Sequence, residues 1–332
     1  MRILVTGGAG YIGSVVADQL LRARHTVTVL DNLIMGWREA VPAAAEFVQA
    51  DTGDEATLNR LFTSHNFDAV MHFAALIEAG ESVKVPEQYF DNNSLRSLTL
   101  LRVMLKHKVS RFVFSSTAAV YGEPKTIPIP EDHPLSPTNA YGESKLIVEQ
   151  MLAWMHSAHG LRYASLRYFN AAGATRERGE AHRSESHLIP LILQVPLGQR
   201  EFVAIFGTDY PTKDGTCIRD FIHVDDLASA HLLALQGLET HETLICNLGS
   251  GEGFSVRQIV DLTCKITGHP IPVREMPRRA GDSAVLIASS DKIRRLLGWS
   301  PQYSDIEAII ASAWDWHKSH PRGYQPLQCL SS

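Results

Sequence analysis

Through the first half of the chain, short apolar runs alternate with stretches in which apolar residues recur every three or four positions. The runs have the length of strands and the stretches have the period of helices. Ile3-Leu4-Val5 opens a first strand, a glycine-rich turn follows, and a helix is predicted over Ser14 to Ala23 with Val15, Val16, Leu20 and Leu21 on one side. Further strands are expected at Thr26 to Leu30, Glu46 to Ala50, Phe67 to Phe73 and Arg111 to Ser116. Between them, helices are expected at Asp54 to Asn66 and at Gln88 to His107, the latter with Leu95, Leu98, Leu101 and Leu105 as its buried stripe. After a proline-rich loop, Asn139-Ala140 enters another amphipathic helix. Strand and helix in strict alternation predict an α/β fold, a Rossmann-type doubly wound parallel sheet.

Beyond Gly173 the periodicity weakens and charge rises through Thr175 to Ser186, the pattern of a loop-rich insertion. His187-Leu188-Ile189-Pro190 then opens a helix, Val203 to Phe206 reads as a strand, and Asp225-Asp226 is expected to cap a helix at Leu227 to Leu235. Leu244 to Leu248 reads as a last strand returning to the sheet. The expected organisation is a dinucleotide-binding lobe over 1–172 with return segments near 217–250, and a smaller, discontinuous C-terminal substrate-binding lobe within 173–332.

Composition narrows the partners. The 332 residues carry a formal charge of −5 and no lysine or arginine cluster interleaved with aromatics, so no nucleic-acid partner is expected. No apolar run reaches the length of a membrane span, and nothing resembles a secretion signal. Cys217, Cys246, Cys264 and Cys329 are widely spaced, as expected of reduced thiols in a cytoplasmic protein. No metal is expected, because His156-x-x-His159 and His317-x-x-His320 lack carboxylate or cysteine partners. Neither Gly-x-Ser-x-Gly nor a Walker turn is present, which leaves hydrolase and kinase readings without support.

The candidate chemistry starts at the first turn, where Gly7, Gly10 and Gly13 let the backbone approach a pyrophosphate at the positive end of a helix. Asp31, ending the second strand about 20 residues later, suits the adenosine ribose hydroxyls and would repel a 2′-phosphate, which favours NAD over NADP. Asp51 has two readings, a partner for an adenine amine or a turn residue leading into the next helix. Ala74 and Ala75 keep the exit of the fourth strand small, and Asn92 and Asn93 stand near the start of the long helix. Tyr141 and Lys145, at i and i+4, share one helix face, where an ammonium near a phenol favours the phenolate and makes Tyr141 a candidate base.

Taken together, the glycine turn, Asp31, the Ser115-Ser116-Thr117 strand end and Tyr141-x-x-x-Lys145 resemble the extended short-chain dehydrogenase/reductases. Arg167-Tyr168-Phe169-Asn170, Phe206-Gly207-Thr208-Asp209-Tyr210, the block Asp214 to Val224, and Arg278-Arg279-Ala280-Gly281-Asp282 are similar to the UDP-glucose 4-epimerase subgroup. This resemblance implies a homodimer that interconverts UDP-galactose and UDP-glucose through a 4-keto intermediate on tightly bound NAD. Thr117, Tyr141 and Lys145 would be the catalytic trio. Gly7, Gly10, Tyr11, Ile12, Gly13, Asp31, Asn32, Asp51, Thr52, Phe73, Ala74, Ala75, Asn92 and Phe169 would join the trio in holding NAD.

On the same resemblance, Asn170, His187, Leu188, Ala204, Phe206, Arg219, Arg279 and Asp282 would contact the UDP-hexose alongside Thr117 and Tyr141, with the two arginines gripping the diphosphate. Leu286 would line the wall facing the hexose C2 group. One departure is Ile77, where some members of the subgroup have a cofactor-contacting lysine. A nucleotide-sugar 4,6-dehydratase or decarboxylase is the nearest alternative, but those relatives place an acid just after the Ser or Thr, and here Ala118-Ala119 follows. A noncatalytic NAD-binding sensor is the third reading.

Overall fold

The computed structural model describes residues 1–279 and 281–325; Ala280 and Cys329 lie outside the described residues. Fourteen strands are present among them. Seven form one parallel sheet: β1 (Arg2–Thr6), β2 (Thr26–Asp31), β3 (Glu46–Gln49), β4 (Ala69–His72), β5 (Arg111–Thr117), β6 (Arg162–Tyr168) and β11 (Thr243–Leu248). Their spatial order is β11-β6-β5-β4-β1-β2-β3, so the chain winds outward from β1 to β3, returns to β4 on the other side of β1, and winds outward again. This is the Rossmann-type doubly wound α/β fold. The reversal lies between β1 and β4, which pair Ile3 with Ala69 and Thr6 with His72, and it opens a crevice at the carboxyl ends of the strands.

Both sheet faces are covered, which is why the strands are apolar throughout. On one face, Val15, Val16 and Leu20 of the helix Tyr11–Arg22 pack with Leu227, Ala234 and Leu235 of the helix Val224–Gly237. On the other, Leu58, Leu100, Met104, Val148 and Leu152 join three helices over Leu4, Val70 and Phe112. Ile293 and Trp299 also enter the first of these cores, so the first lobe draws on the chain beyond the segment 217–250.

The second lobe holds the short strands β7 (Asn170–Ala172), β8 (Val203–Phe206), β9 (Ile218–Arg219), β10 (Phe221–His223), β12 (Phe254–Ser255), β13 (Val273–Met276) and β14 (Val285–Leu286). β8 pairs with β13 in parallel, and β9 lies between β12 and β14. Ile189, Ile192, Val203, Ile205, Ile259, Ile310 and Trp314 form its own core.

Two local expectations need correction. The helix expected over Gln88 to His107 is one turn at Pro86–Tyr89, a π-helical segment Phe90–Leu95 and an α-helix Arg96–Lys106. The wider turn rotates the buried face, so Ser97, Leu100, Leu101 and Met104 point inward while Leu95 is 56% exposed. The cap of the helix Val224–Gly237 is His223, whose Nδ1 accepts from Asp225 N at 3.1 Å. Asp226 instead is buried and holds the Gln302 and Tyr303 amides at 2.6 and 2.9 Å.

Candidate active site

A cavity of about 320 Å³ lies along the crevice, walled by the carboxyl ends of the sheet strands and by the second lobe. One end is built by the first turn. Gly7 has φ +72°, and a Cβ there would meet Ala74 N at 2.4 Å, so only glycine lets β1 and β4 release their chains side by side. The helix Tyr11–Arg22 then starts at Gly10 with no side chain capping it, leaving the N–H groups of its first turn for an anionic ligand. Gly7, Gly10, Tyr11, Ile12 and Gly13 all line the cavity.

Asp31 lines it too, oriented by Ala9 N on Oδ2 at 3.0 Å and by Leu33 N on Oδ1 at 2.8 Å. Burial raises its pKa, an effect that these two N–H donors oppose. Asn32, Ala50, Thr52, Phe73, Ala74, Ala75 and Asn92 continue the wall. Asp51 does not belong to it. Its carboxylate is held by Gly53 N at 2.7 Å, by Asn32 Nδ2 at 3.0 Å and by the Arg96 guanidinium, the first of these being the contact that the turn reading expects. The π-helical segment sets Asn92 on the wall and turns Asn93 inward, where it bonds Leu76 N and O and Ser144 Oγ at 2.8 to 3.0 Å.

At the other end stand Thr117, Tyr141 and Lys145. β5 delivers Thr117, whose Oγ1 accepts from Ala119 N at 3.1 Å and starts a 3-10 turn over Ala118–Val120. The helix Ala140–His159 is capped by Asn139, whose Oδ1 accepts from Gly142 N at 2.9 Å. A Cβ on Gly142 would come within 2.6 Å of Ala119 O, so this glycine lets the helix touch the turn and brings Tyr141 to the same stretch of cavity wall as Thr117. Lys145 is 2% exposed and donates to Ser115 O at 2.9 Å.

Electrostatics at this end differ from the sequence expectation. Burial pushes the Tyr141 phenol above its ordinary pKa, partly offset by the Thr117 hydrogen bond and reinforced by the charge of Glu78, while burial brings Lys145 down to about 7. Behind the pair, Arg167 grips the Glu149 carboxylate with both Nε and Nη2 and donates to Tyr121 Oη at 2.9 Å, tying the helix, β6 and the end of the 3-10 turn into one floor.

The second lobe contributes Phe169, Asn170, Glu180, His182 and His187 to the wall. Glu180 accepts from His187 Nδ1 at 2.8 Å and His182 Nε2 at 3.3 Å, and both imidazoles are held toward their charged forms by that carboxylate although burial opposes it. Glu180, His182 and Glu78 line the cavity without a motif to mark them: Glu180-x-His182 lies inside the charged, loop-rich insertion. Leu188, Ala204, Phe206, Arg219, Arg279 and Asp282 stand off the cavity. The Arg279 guanidinium covers the Phe206 ring at 3.9 Å, and Arg219 Nη2 lies 3.6 Å from Asp282 while its Nη1 donates to Ser283 O at 2.8 Å. Leu286, expected on the wall facing the hexose, also stands off this cavity: it pairs with Arg219 across β14 and β9 and packs against the small core that holds Ala118 and Tyr121.

A strap closes the dinucleotide end. The loop before His187 is tied to the first lobe by Trp37 Nε1 donating to Ala181 O at 2.6 Å, Arg178 Nε donating to Ala40 O at 3.1 Å, Arg178 paired with Asp18 at 3.1 Å and Arg183 lying over Trp37 at 4.1 Å.

Comparison with known proteins bears on all of this. Residues 3–249 match the family described as NAD dependent epimerase/dehydratase. The chain is 54% identical over 327 residues to a UDP-glucose 4-epimerase of Halalkalibacterium halodurans, covering 98% of each, and 52% identical to one of Streptomyces lividans, covering 97% of this chain and 98% of the other. Among solved structures it is similar to a UDP-glucose 4-epimerase at 50% identity, TM-score 0.95, covering 98% of this chain and 100% of that one. It is also similar to the enzyme of Bifidobacterium longum in complex with NAD+ and UDP, at 38% identity, TM-score 0.94, with 98% and 100% covered.

Proposed function

The chain belongs to the NAD dependent epimerase/dehydratase family, and from that premise we propose that it interconverts UDP-galactose and UDP-glucose by epimerisation at C4. One observation carries the reading: Tyr141, Thr117 and Lys145 share a cavity whose far end is the glycine turn and Asp31. A dinucleotide fits the residues present, since the uncapped helix start suits its pyrophosphate and Asp31 its ribose. Gly7, Gly10, Tyr11, Ile12, Gly13 and Asp31 would hold it, and NAD when bound supplies a reversible acceptor for the C4 hydride.

Tyr141 takes the proton of the 4-hydroxyl and returns it, and Thr117 bonds the same oxygen. Lys145, anchored on Ser115 O, would hold the nicotinamide ribose and, in its protonated fraction, lend charge to the phenol. Hydride leaves one face of the sugar and comes back to the other, so the hexose must turn between the two transfers while UDP stays put. Ala118 and Ala119 offer no acid or base for eliminating water, which supports epimerisation over 4,6-dehydration. Purified protein given UDP-galactose without added NAD is expected to form UDP-glucose; a keto-deoxy product or no product overturns the reading.

We infer a homodimer as well. Trp154, on the helix Ala140–His159, is 75% exposed, and Leu95, on the neighbouring helical run, is also bare, while Leu146 is spent in the core. Two copies would cover these apolar residues by pairing the two helices, and sedimentation of monomer alone at micromolar concentration would remove that assembly. A cytoplasmic location is proposed with it, supported by Cys217, Cys246 and Cys264 forming no disulfide; among the described residues no helix is long and apolar enough to cross a membrane.

A further inference from the structure

Among the described residues, one group brings three metal-ligating atoms together: Glu180, His182 and His187, with a carboxylate oxygen and two imidazole nitrogens all within 4.8 Å of one another. The pairs His156-x-x-His159 and His317-x-x-His320 have no part in it. Both imidazoles of the group meet at one atom, Glu180 Oε1, His187 through Nδ1 at 2.8 Å and His182 through Nε2 at 3.3 Å. Ligand atoms bonded to one tetrahedral zinc ion at about 2.0 to 2.1 Å stand roughly 3.3 Å apart, so two of the three spacings are already close to those of a metal centre.

Burial and support set this group apart from a surface ion pair. The side chains of Glu180 and His182 are 6% and 13% exposed, and a carboxylate so placed is held by paired cations or by a metal. The backbone that carries the donors is pinned: Gly179 N donates to Tyr324 Oη at 3.1 Å, Trp37 Nε1 to Ala181 O at 2.6 Å, and Ser186 N and His187 N to Glu185 Oε1 at 2.9 Å. Donors held in place before an ion arrives lower the cost of binding it. The same Glu185 oxygen lies 3.2 Å from His187 Nδ1, a second carboxylate whose charge, with that of Glu180, balances a divalent cation. All three ligands line the cavity, which gives an ion its way in and leaves a fourth coordination position to solvent or a ligand there.

We propose that Glu180, His182 and His187 form an inhibitory binding site for a divalent transition-metal ion, with Zn2+ the best match to one carboxylate and two imidazoles. The ion replaces the two N–H···O contacts with bonds to Glu180 Oε1, His182 Nε2 and His187 Nδ1, and each coordinating nitrogen gives up its proton to solvent. Inhibition rests on the reading of the cavity as a UDP-hexose site, in which His187 touches the substrate, so that metal and UDP-hexose compete for one side chain. The metal site itself does not depend on that reading.

The test uses the full-length protein with its dinucleotide, freed of metal by chelator and dialysis, then titrated with ZnCl2 by calorimetry and with CoCl2 by visible absorption. Wild type should take up one Zn2+ per chain and give the intense visible bands of four-coordinate Co2+. Glu180→Gln and His182→Ala, each checked for folding by circular dichroism, should bind Zn2+ about 10-fold or more weakly and lose those bands, since losing even an outer partner of a metal ligand costs that much. His159→Ala, which removes an exposed histidine, should bind as wild type does. Wild type without a saturable one-to-one site, or Glu180→Gln and His182→Ala that bind as tightly as wild type, overturns the proposal. In turnover of UDP-galactose, Zn2+ should raise KM at unchanged kcat in wild type and leave KM alone in His182→Ala; a KM that Zn2+ does not move in wild type that binds it overturns the competition. Protein that binds Zn2+ yet never converts UDP-galactose fails the epimerase reading and leaves the metal site standing.

Discussion

Tyr141 shows how a short motif and its surroundings divide the explanation. Its spacing to Lys145 was visible in the sequence, and so was the role the pair suggests; the balance of forces on the phenol was not, because it depends on how deeply the helix start is buried and on a glutamate from another segment. Turnover of Tyr141→Phe is expected to fall by about 100-fold or more with UDP binding nearly unchanged, checked by steady-state rates beside UDP titration. Leu286 concerns the other reactant. An N-acetyl group forced against it would cost about 1 to 3 kcal/mol, roughly a 5- to 150-fold handicap, so UDP-galactose should be preferred over UDP-N-acetylgalactosamine. Leu286→Ser should raise the ratio of N-acetyl to plain hexose activity, and an unchanged ratio would clear Leu286 of that part.

Elements position these residues through contacts that local pattern reveals unevenly. The strands and helices of the first lobe were legible because both sheet faces are covered, so each run states its period plainly. The π-helical segment was not, since one extra residue per turn leaves Leu95 and Leu98 looking like a stripe while Asn93 and Ser97 do the inward packing. Second-lobe wall residues were harder still: Glu180 and His182 matter through the crevice that their loop crosses, and Arg219 and Arg279 are engaged with Asp282 and Phe206 rather than facing the cavity. Helix placement itself can be tested at Gly142. A methyl there would meet Ala119 O, so Gly142→Ala should separate Tyr141 from Thr117 and lower kcat by about 10-fold or more, against a stability loss of roughly 1 to 3 kcal/mol measured by urea unfolding.

At the scale of the whole molecule, three buried histidines contribute to how the fold meets acid. His72 is pushed down to about 3, and His223 and His231 to about 4, each by burial. All three are neutral in the folded chain and accept protons near 6.5 once unfolded, so the unfolded state binds more protons between those values. The contribution of these three residues to stability is therefore whole above pH 6.5 and is lost as pH falls toward 4. Full titration of three groups gives a slope of about 4 kcal/mol per pH unit in that window. Thermal scans from pH 7 to 4.5 should show the steep decline, and His231→Leu should flatten it by about a third.

The strap between the loop before His187 and the first lobe bears on time rather than affinity. Glu180 and His182, on either side of Ala181, line the cavity, so a bound dinucleotide would be covered by this strap and would leave only after the two lobes part there. Exchange would then run at the rate of that parting, and the molecule would keep one dinucleotide through many turnovers. Labelled NAD should enter wild-type protein slowly and enter Trp37→Ala with Arg178→Ala some 5- to 150-fold faster, as two hydrogen bonds no longer hold the strap. Cells that make this chain would in that case commit one NAD to each copy for its lifetime.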